Sequence, residues 1–133
     1  MLTLVQQIQY GTPVFIIPKK EGTVRFITDY SRLNQKSVRK PYMLPRIVDT
    51  MHNMELFQYE TALELDIGCY TIRLFPAIQD MTKIVNEFGE FIYNCLPMGM
   101  CASGDIFQAK VDEILGNIEA IKTYIDDIIV LSK

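Results

Sequence analysis

The chain has 133 residues, 49% hydrophobic and 22% charged, without low-complexity stretches or long Gly/Ser linkers, so it can bury one core and is not a disordered tract. No apolar run reaches the roughly 18 residues of a bilayer span, residues 1–10 lack a signal-peptide pattern, and three cysteines without CxxC spacing plus a single His52 exclude a zinc framework. The net charge of −3 hides a division: residues 1–46 carry eight basic groups against Glu21 and Asp29, a balance of +6, and residues 47–133 carry five against fourteen acids, a balance of −9.

Pro13–Ile17 reads as a strand, with Pro at its first position where a missing N–H does least harm. Lys19-Lys20-Glu21-Gly22 signals a turn and Thr23–Ile27 a second, half-exposed strand, which together predict a hairpin with lysines at its tip. Tyr30–Asn34 suits a short helical turn, and Pro41 and Pro45 punctuate a connector. Ile47, Met51 and Met54 recur at helical spacing, so a helix is expected over Arg46–Met54. Phe57–Leu65 is strand-like and ends at Asp66, with Gly68 marking a turn. Thr82–Glu87 and Glu90–Leu96 flank Phe88-Gly89 as a hairpin. Ser103 is a candidate cap for a helix over 104–115, whose apolar face would be Ile106, Phe107, Val111, Ile114 and Leu115, stopped by Gly116. The last segment, Ile121–Leu131, is two apolar strands interrupted by Asp126-Asp127. Hairpins mixed with helices, rather than regular βαβ repeats, predict an α+β fold. Cys69, Cys95 and Cys101 read as three buried, reduced thiols of an intracellular protein.

Chemistry concentrates at Tyr124-Ile125-Asp126-Asp127-Ile128-Ile129-Val130-Leu131. Two adjacent carboxylates in an apolar hairpin are costly unless a cation or strong donors compensate them. A sequence that needed only a turn would favour Asp-Gly or Asn-Gly. The pair therefore suits a divalent metal such as Mg²⁺, which binds through a few carboxylates plus phosphate oxygens; an ordinary acidic turn is the alternative. Leu63-Glu64-Leu65-Asp66 supplies a second set of acids, which strand alternation would put on one face. If that strand lies beside the hairpin, three or four carboxylates converge and could hold two metals. The basic first part of the chain attracts phosphates and the acidic remainder attracts cations, unless surface charge has merely segregated.

Tyr124-Ile125-Asp126-Asp127 matches the YxDD box of reverse transcriptases. Thr12–Phe15 through Lys19-Lys20, then Val24–Phe26 to Asp29-Tyr30 and Leu33-Asn34, match that family's fingers motifs. Leu96-Pro97-Met98-Gly99-Met100-Cys101 followed by Phe107-Gln108 is similar to its LPxG…FQ block. Five ordered blocks over 11–132 resemble the fingers and palm of a reverse transcriptase from a gypsy-type LTR retrotransposon Pol polyprotein.

The resemblance implies fingers over about 11–55 and a palm over about 56–133, with fingers-type elements interleaved at about 80–96 and an antiparallel palm sheet packed with helices. It implies an RNA/DNA-templated DNA polymerase using a two-metal nucleotidyl-transfer mechanism. Asp126, Asp127 and Glu64 would be catalytic, and these three with Asp66 would bind Mg²⁺ or Mn²⁺. Lys19, Lys20, Arg25, Asp66, Cys69, Met98 and Gly99 would meet the incoming dNTP, and Tyr124, Arg32 and Asn34 the primer or template. Its partners would be an RNA or DNA template-primer, dNTPs and the rest of Pol, with thumb and RNase H absent from this piece and no membrane involved. Its place would be intracellular, in a cytoplasmic virus-like particle or the nucleus. Two departures stand out: Glu64 occupies the family's first catalytic Asp position, and Cys69 replaces an aromatic that screens the sugar 2′ position. They imply low activity, better support by Mn²⁺ and a weakened barrier to ribonucleotides. The alternative is a non-catalytic nucleic-acid-binding remnant. Gly104, where relatives commonly have Pro, is a milder change.

Overall fold

Strands form where β-branched and aromatic residues run together, and turns fall on the Gly and Pro punctuation. The computed structural model describes residues 1–6, 10–46, 48, 52, 57–66 and 68–133. Of the helix expected over Arg46–Met54, positions 47, 49–51, 53 and 54 lie outside these, while Val48 and His52 are helical. In chain order the described elements are β1 (Leu2–Val5), β2 (Thr12–Pro18), β3 (Val24–Thr28), α1 (Ser31–Lys36), β4 (Tyr59–Glu64), α2 (Pro76–Gln79), β5 (Ile84–Asn86), β6 (Gly89–Tyr93), α3 (Ser103–Leu115), β7 (Ile121–Tyr124) and β8 (Asp127–Ser132). Single 3₁₀ turns occupy Gly68–Thr71 and Asp80–Thr82. The class is α+β, as expected.

The chain divides into two compact units, Met1–Arg39 with Cys69–Ser103, and Lys40–Gly68 with Gly104–Lys133. Because each unit takes residues from both halves of the sequence, the charge division softens. The first unit has eight basic against five acidic residues (+3), the second five against eleven (−6).

The first unit holds a five-stranded sheet in the order β1-β6-β5-β2-β3. All its pairings are antiparallel except β2 with β5, which run parallel through Thr12↔Ile84 and Pro13↔Val85. The predicted β2–β3 hairpin forms, closed by the Lys19 N–H on Thr23 O at 2.7 Å, with Gly22 at φ 79° making the turn. Its core is Tyr30, Ile84 and Tyr93, wrapped by Val14, Leu33, Tyr70, Leu74, Phe91 and Met100. The polar ends of these tyrosines are satisfied inside. Tyr30 donates to Thr82 O at 3.3 Å, and the Tyr93 hydroxyl meets Thr28 Oγ1 at 3.3 Å.

The second unit holds a three-stranded antiparallel sheet, β4-β8-β7. β8 is central and paired on both edges, and Ile128 and Leu131 are buried while Ile129 and Val130 are half-buried, so both of its faces are at least partly covered, which suits a continuous apolar run. The buried apolar residues of α3 are Phe107 and Val111, and Ile106 and Ile114 are 40% and 73% exposed, so the expected apolar face is narrower and rotated. Gln108, not Ile114, completes the buried stripe, because every end of its amide finds a partner. Ser103 lies within α3 rather than before it, and its Oγ donates to Pro97 O at 2.7 Å. None of the three cysteines forms a disulfide among the described residues; Cys69 is buried, whereas Cys95 and Cys101 are only half-buried.

Candidate active site

The acidic pair sits on a two-residue turn of the second unit. Tyr124 ends β7 opposite Asp127, which begins β8, so the loop between them is only Ile125-Asp126. Closing so short a loop requires a positive φ, which Gly or Asn supplies easily. Here Ile125 does it, at φ 52°. A β-branched residue in that region is strained by about 1–3 kcal/mol and persists only where its surroundings hold it. The holder is α3: the Ile125 N–H donates to Gln108 Oε1 at 2.6 Å. Gln108 is fully buried. Its Nε2 donates to Asp112 Oδ1 at 2.8 Å and to Thr123 Oγ1 at 3.1 Å, and Thr123 Oγ1 in turn donates to Asp112 Oδ1 at 2.8 Å.

Glu64 faces this turn from the neighbouring strand. The β4–β8 register pairs Glu64 directly with Asp127, and the Leu65 N–H donates to Asp126 O at 2.7 Å. Burial, then the charges of Asp127 and Glu64, push the Asp126 carboxyl above its ordinary range. One oxygen of that carboxylate, Oδ1, is buried and has no hydrogen-bond partner among the described residues. Gly68 allows this close packing, since a Cβ there would stand 2.9 Å from Asp126 Oδ1 and 2.4 Å from Phe107 Cζ. Asp66 lies in the turn beyond β4, exposed. The strand ends at Glu64, so strand alternation does not reach Asp66. Among the described residues, no three His, Cys, Asp or Glu side chains stand close enough to hold a metal as they are oriented. An orphaned, buried carboxylate oxygen with two more acids acting on it is nonetheless the donor set a hard divalent cation takes.

The other expected site residues belong to the first unit. Lys19 and Lys20 are exposed at the β2–β3 tip, and Arg25 is exposed on β3 opposite Ile17. Among the described residues none of the three forms an ion pair. Arg32 lines a 960 Å³ cavity with Tyr10, Asp29, Leu33 and Lys36. Asn34 spends its amide on the chain itself, donating to Gly99 O at 2.8 Å and accepting from the Cys101 N–H at 2.8 Å. That clasp fixes the exposed Met98-Gly99 turn, where Gly99 at φ 96° approaches Thr28 O too closely for a side chain. Cys69 is buried. Sequence reasoning missed Asp112 and Thr123 as support for the acidic turn. Nothing in their local pattern distinguishes them from ordinary polar positions.

Comparison with known proteins adds a family. Residues 17–133 match the family described as "Reverse transcriptase (RNA-dependent DNA polymerase)". The chain is 31% identical over 131 residues to a retrovirus-related Pol polyprotein from transposon opus of Drosophila melanogaster, covering 93% of this chain and 13% of that protein. It is 28% identical to the Pol polyprotein from transposon 412 of the same organism, covering 92% and 11%. To the transposon Tf2-3 polyprotein of Schizosaccharomyces pombe it is 31% identical, covering 91% and 9%. Among solved structures, a foamy viral protease-reverse transcriptase in complex with double-stranded DNA superposes with a TM-score of 0.87 at 26% identity, covering 97% of this chain and 23% of that one. Another, bound to an RNA/DNA hybrid, gives 0.85 at 25% identity, covering 97% and 17%. The chain thus spans about a tenth of the curated transposon polyproteins it matches.

Proposed function

This chain belongs to the reverse transcriptase (RNA-dependent DNA polymerase) family, and we propose on that premise that it carries the nucleotidyl-transfer site of a nucleic-acid-templated DNA polymerase. The observation that carries the reading is the buried, unpartnered Oδ1 of Asp126 on a strained hairpin, with Glu64 in register opposite Asp127. Such a site loses stability in the absence of a ligand, which is the mark of a binding position rather than a structural one. Asp126, Asp127 and Glu64 would hold divalent cations, Mg²⁺ or Mn²⁺, with Asp66 available at the open end of β4. Bound cations would stabilise charge on the attacking primer hydroxyl and the departing pyrophosphate.

The protein's own groups do the remaining work. Lys19, Lys20 and Arg25, without an ion-pair partner among the described residues, present positive charge on the fingers hairpin for the triphosphate, and phosphate oxygens are what such donors bind best. Met98 and Gly99 border the nucleotide, Tyr124 the primer end, and Arg32 the template. Asn34 acts on the same region by clasping the Met98-Gly99 turn. Fingers over about 11–55 and palm over about 56–133, with fingers-type elements at about 80–96, describe this division of labour. The partners are a template-primer, dNTPs, and the remainder of a retrotransposon Pol polyprotein inside the cell; the similar foamy viral structures are complexes with double-stranded DNA and with an RNA/DNA hybrid.

Glu64 is one methylene longer than Asp, and Mg²⁺ insists on near-ideal octahedral geometry. A displacement of about 1 Å at a reacting centre costs roughly a hundredfold in rate. Primer extension should therefore be slow with Mg²⁺, faster with Mn²⁺, raised up to about a hundredfold by Glu64→Asp, and abolished by Asp126→Ala. Cys69, smaller than an aromatic, should admit ribonucleotides more readily. A second reading rests on the same two departures: the chain binds nucleic acid without chemistry. No incorporation by the Glu64→Asp variant under either metal, with salt-sensitive template-primer binding retained, decides for it.

A further inference from the structure

We propose that Asp112 is a positioning residue for the acidic hairpin, setting the orientation of the Gln108 amide that holds Ile125 in its strained conformation. A glutamine amide fits a site equally well in two orientations, and only its hydrogen-bond partners choose between them. An ionised carboxylate can only accept, so Asp112 Oδ1, at 2.8 Å, fixes the NH₂ end of Gln108 towards itself. Thr123 has one hydroxyl proton and gives it to the same carboxylate oxygen at 2.8 Å, leaving a lone pair for Gln108 Nε2 at 3.1 Å. Asp112 also lies close enough to the Tyr42 hydroxyl to push its pKa up, and the Tyr42 N–H donates to Asp105 Oδ1 at 3.1 Å. With its NH₂ committed, Gln108 has its Oε1 permanently aimed at the Ile125 N–H.

The consequence is directional. Flipping the amide would put two N–H groups nose to nose at Ile125 and an oxygen against the Asp112 carboxylate. Asp112 therefore excludes the flipped state, and the turn at φ 52° keeps its acceptor. Asp112 itself hydrogen-bonds neither Asp126 nor Asp127. It acts three links away, through Gln108 and the Ile125 peptide. In metal sites, groups that orient the ligands from behind change affinity about 10–100-fold when removed. Only that metal consequence rests on the function proposed above; the structural claim stands without it.

Amide hydrogen exchange at Ile125 in the full chain, with Mn²⁺ titration alongside, separates the two. In Asp112→Ala and in the shape-preserving Asp112→Asn, Ile125 should exchange faster, about tenfold for Ala, and Mn²⁺ affinity should fall about tenfold in Ala. Adding Ile125→Gly to Asp112→Ala should recover the Mn²⁺ affinity, because glycine takes a positive φ without strain. Unchanged Ile125 exchange in both single variants overturns the proposal. So does exchange that quickens equally along all of α3 and β7, which would make Asp112 a general fold contact. If the unaltered chain binds no Mn²⁺, the metal-based function fails while the exchange result still decides the role of Asp112.

Discussion

Replacing Gly68 by alanine tests the closest approach within the acidic site. The added Cβ would stand 2.4 Å from Phe107 Cζ, 3.0 Å from Phe107 Cε2 and 2.9 Å from Asp126 Oδ1. Carbon atoms rest at about 3.5–4.0 Å, so the ring must retreat by at least about 1 Å. Phe107 is only 4% exposed and has little room to move. Overpacking of this kind costs about 1–3 kcal/mol. An unfolding entropy of about 2.1 cal/mol/K per residue gives about 0.28 kcal/mol/K for this length, so Tm should fall by about 4–11 °C. Circular dichroism melts of Gly68→Ala, with and without Phe107→Leu, measure it. The smaller side chain should recover part of the loss, a coupling expected only of residues in contact. A Gly68→Ala chain that melts within about 1 °C of the original would refute the argument.

Asp126 titrates above the ordinary carboxyl value of 3.8, so its ionised form costs stability above that value and the cost vanishes below it. Asp126→Asn should therefore be the more stable chain near neutral pH, with the difference shrinking as pH falls towards 3.8, as urea melts over a pH series would read; a less stable variant at neutral pH contradicts this. Thr82 is fully buried, donates to Gln79 O at 2.7 Å and accepts from the Tyr93 N–H at 3.1 Å. Thr82→Val leaves that N–H without its acceptor and should cost about 1–3 kcal/mol in denaturant unfolding.

Much of the first unit was readable before any coordinates. The β2–β3 hairpin, the β5–β6 hairpin and α1 fall where turn residues and apolar periodicity put them, because those signals report interactions between near neighbours. The YxDD hairpin was readable because it too is contiguous: two apolar strands broken by a pair of adjacent acids. α3 was read less well. Its length followed from periodicity, but its buried face did not, since a polar Gln108 took a core position that only its distant partners make tolerable.

The sequence alone determined the class of elements, the acidic turn and the family, all of which are written in local pattern and ordered blocks. Only the tertiary structure decided that Glu64 lies opposite Asp127, that β4 stops before Asp66, and that Ile125 adopts a positive φ with Gln108 holding it. These are matters of strand register and of contacts between residues far apart in the chain. Hydrophobic periodicity is silent on both, because a shift of register or a flipped amide leaves the pattern of apolar and polar residues unchanged.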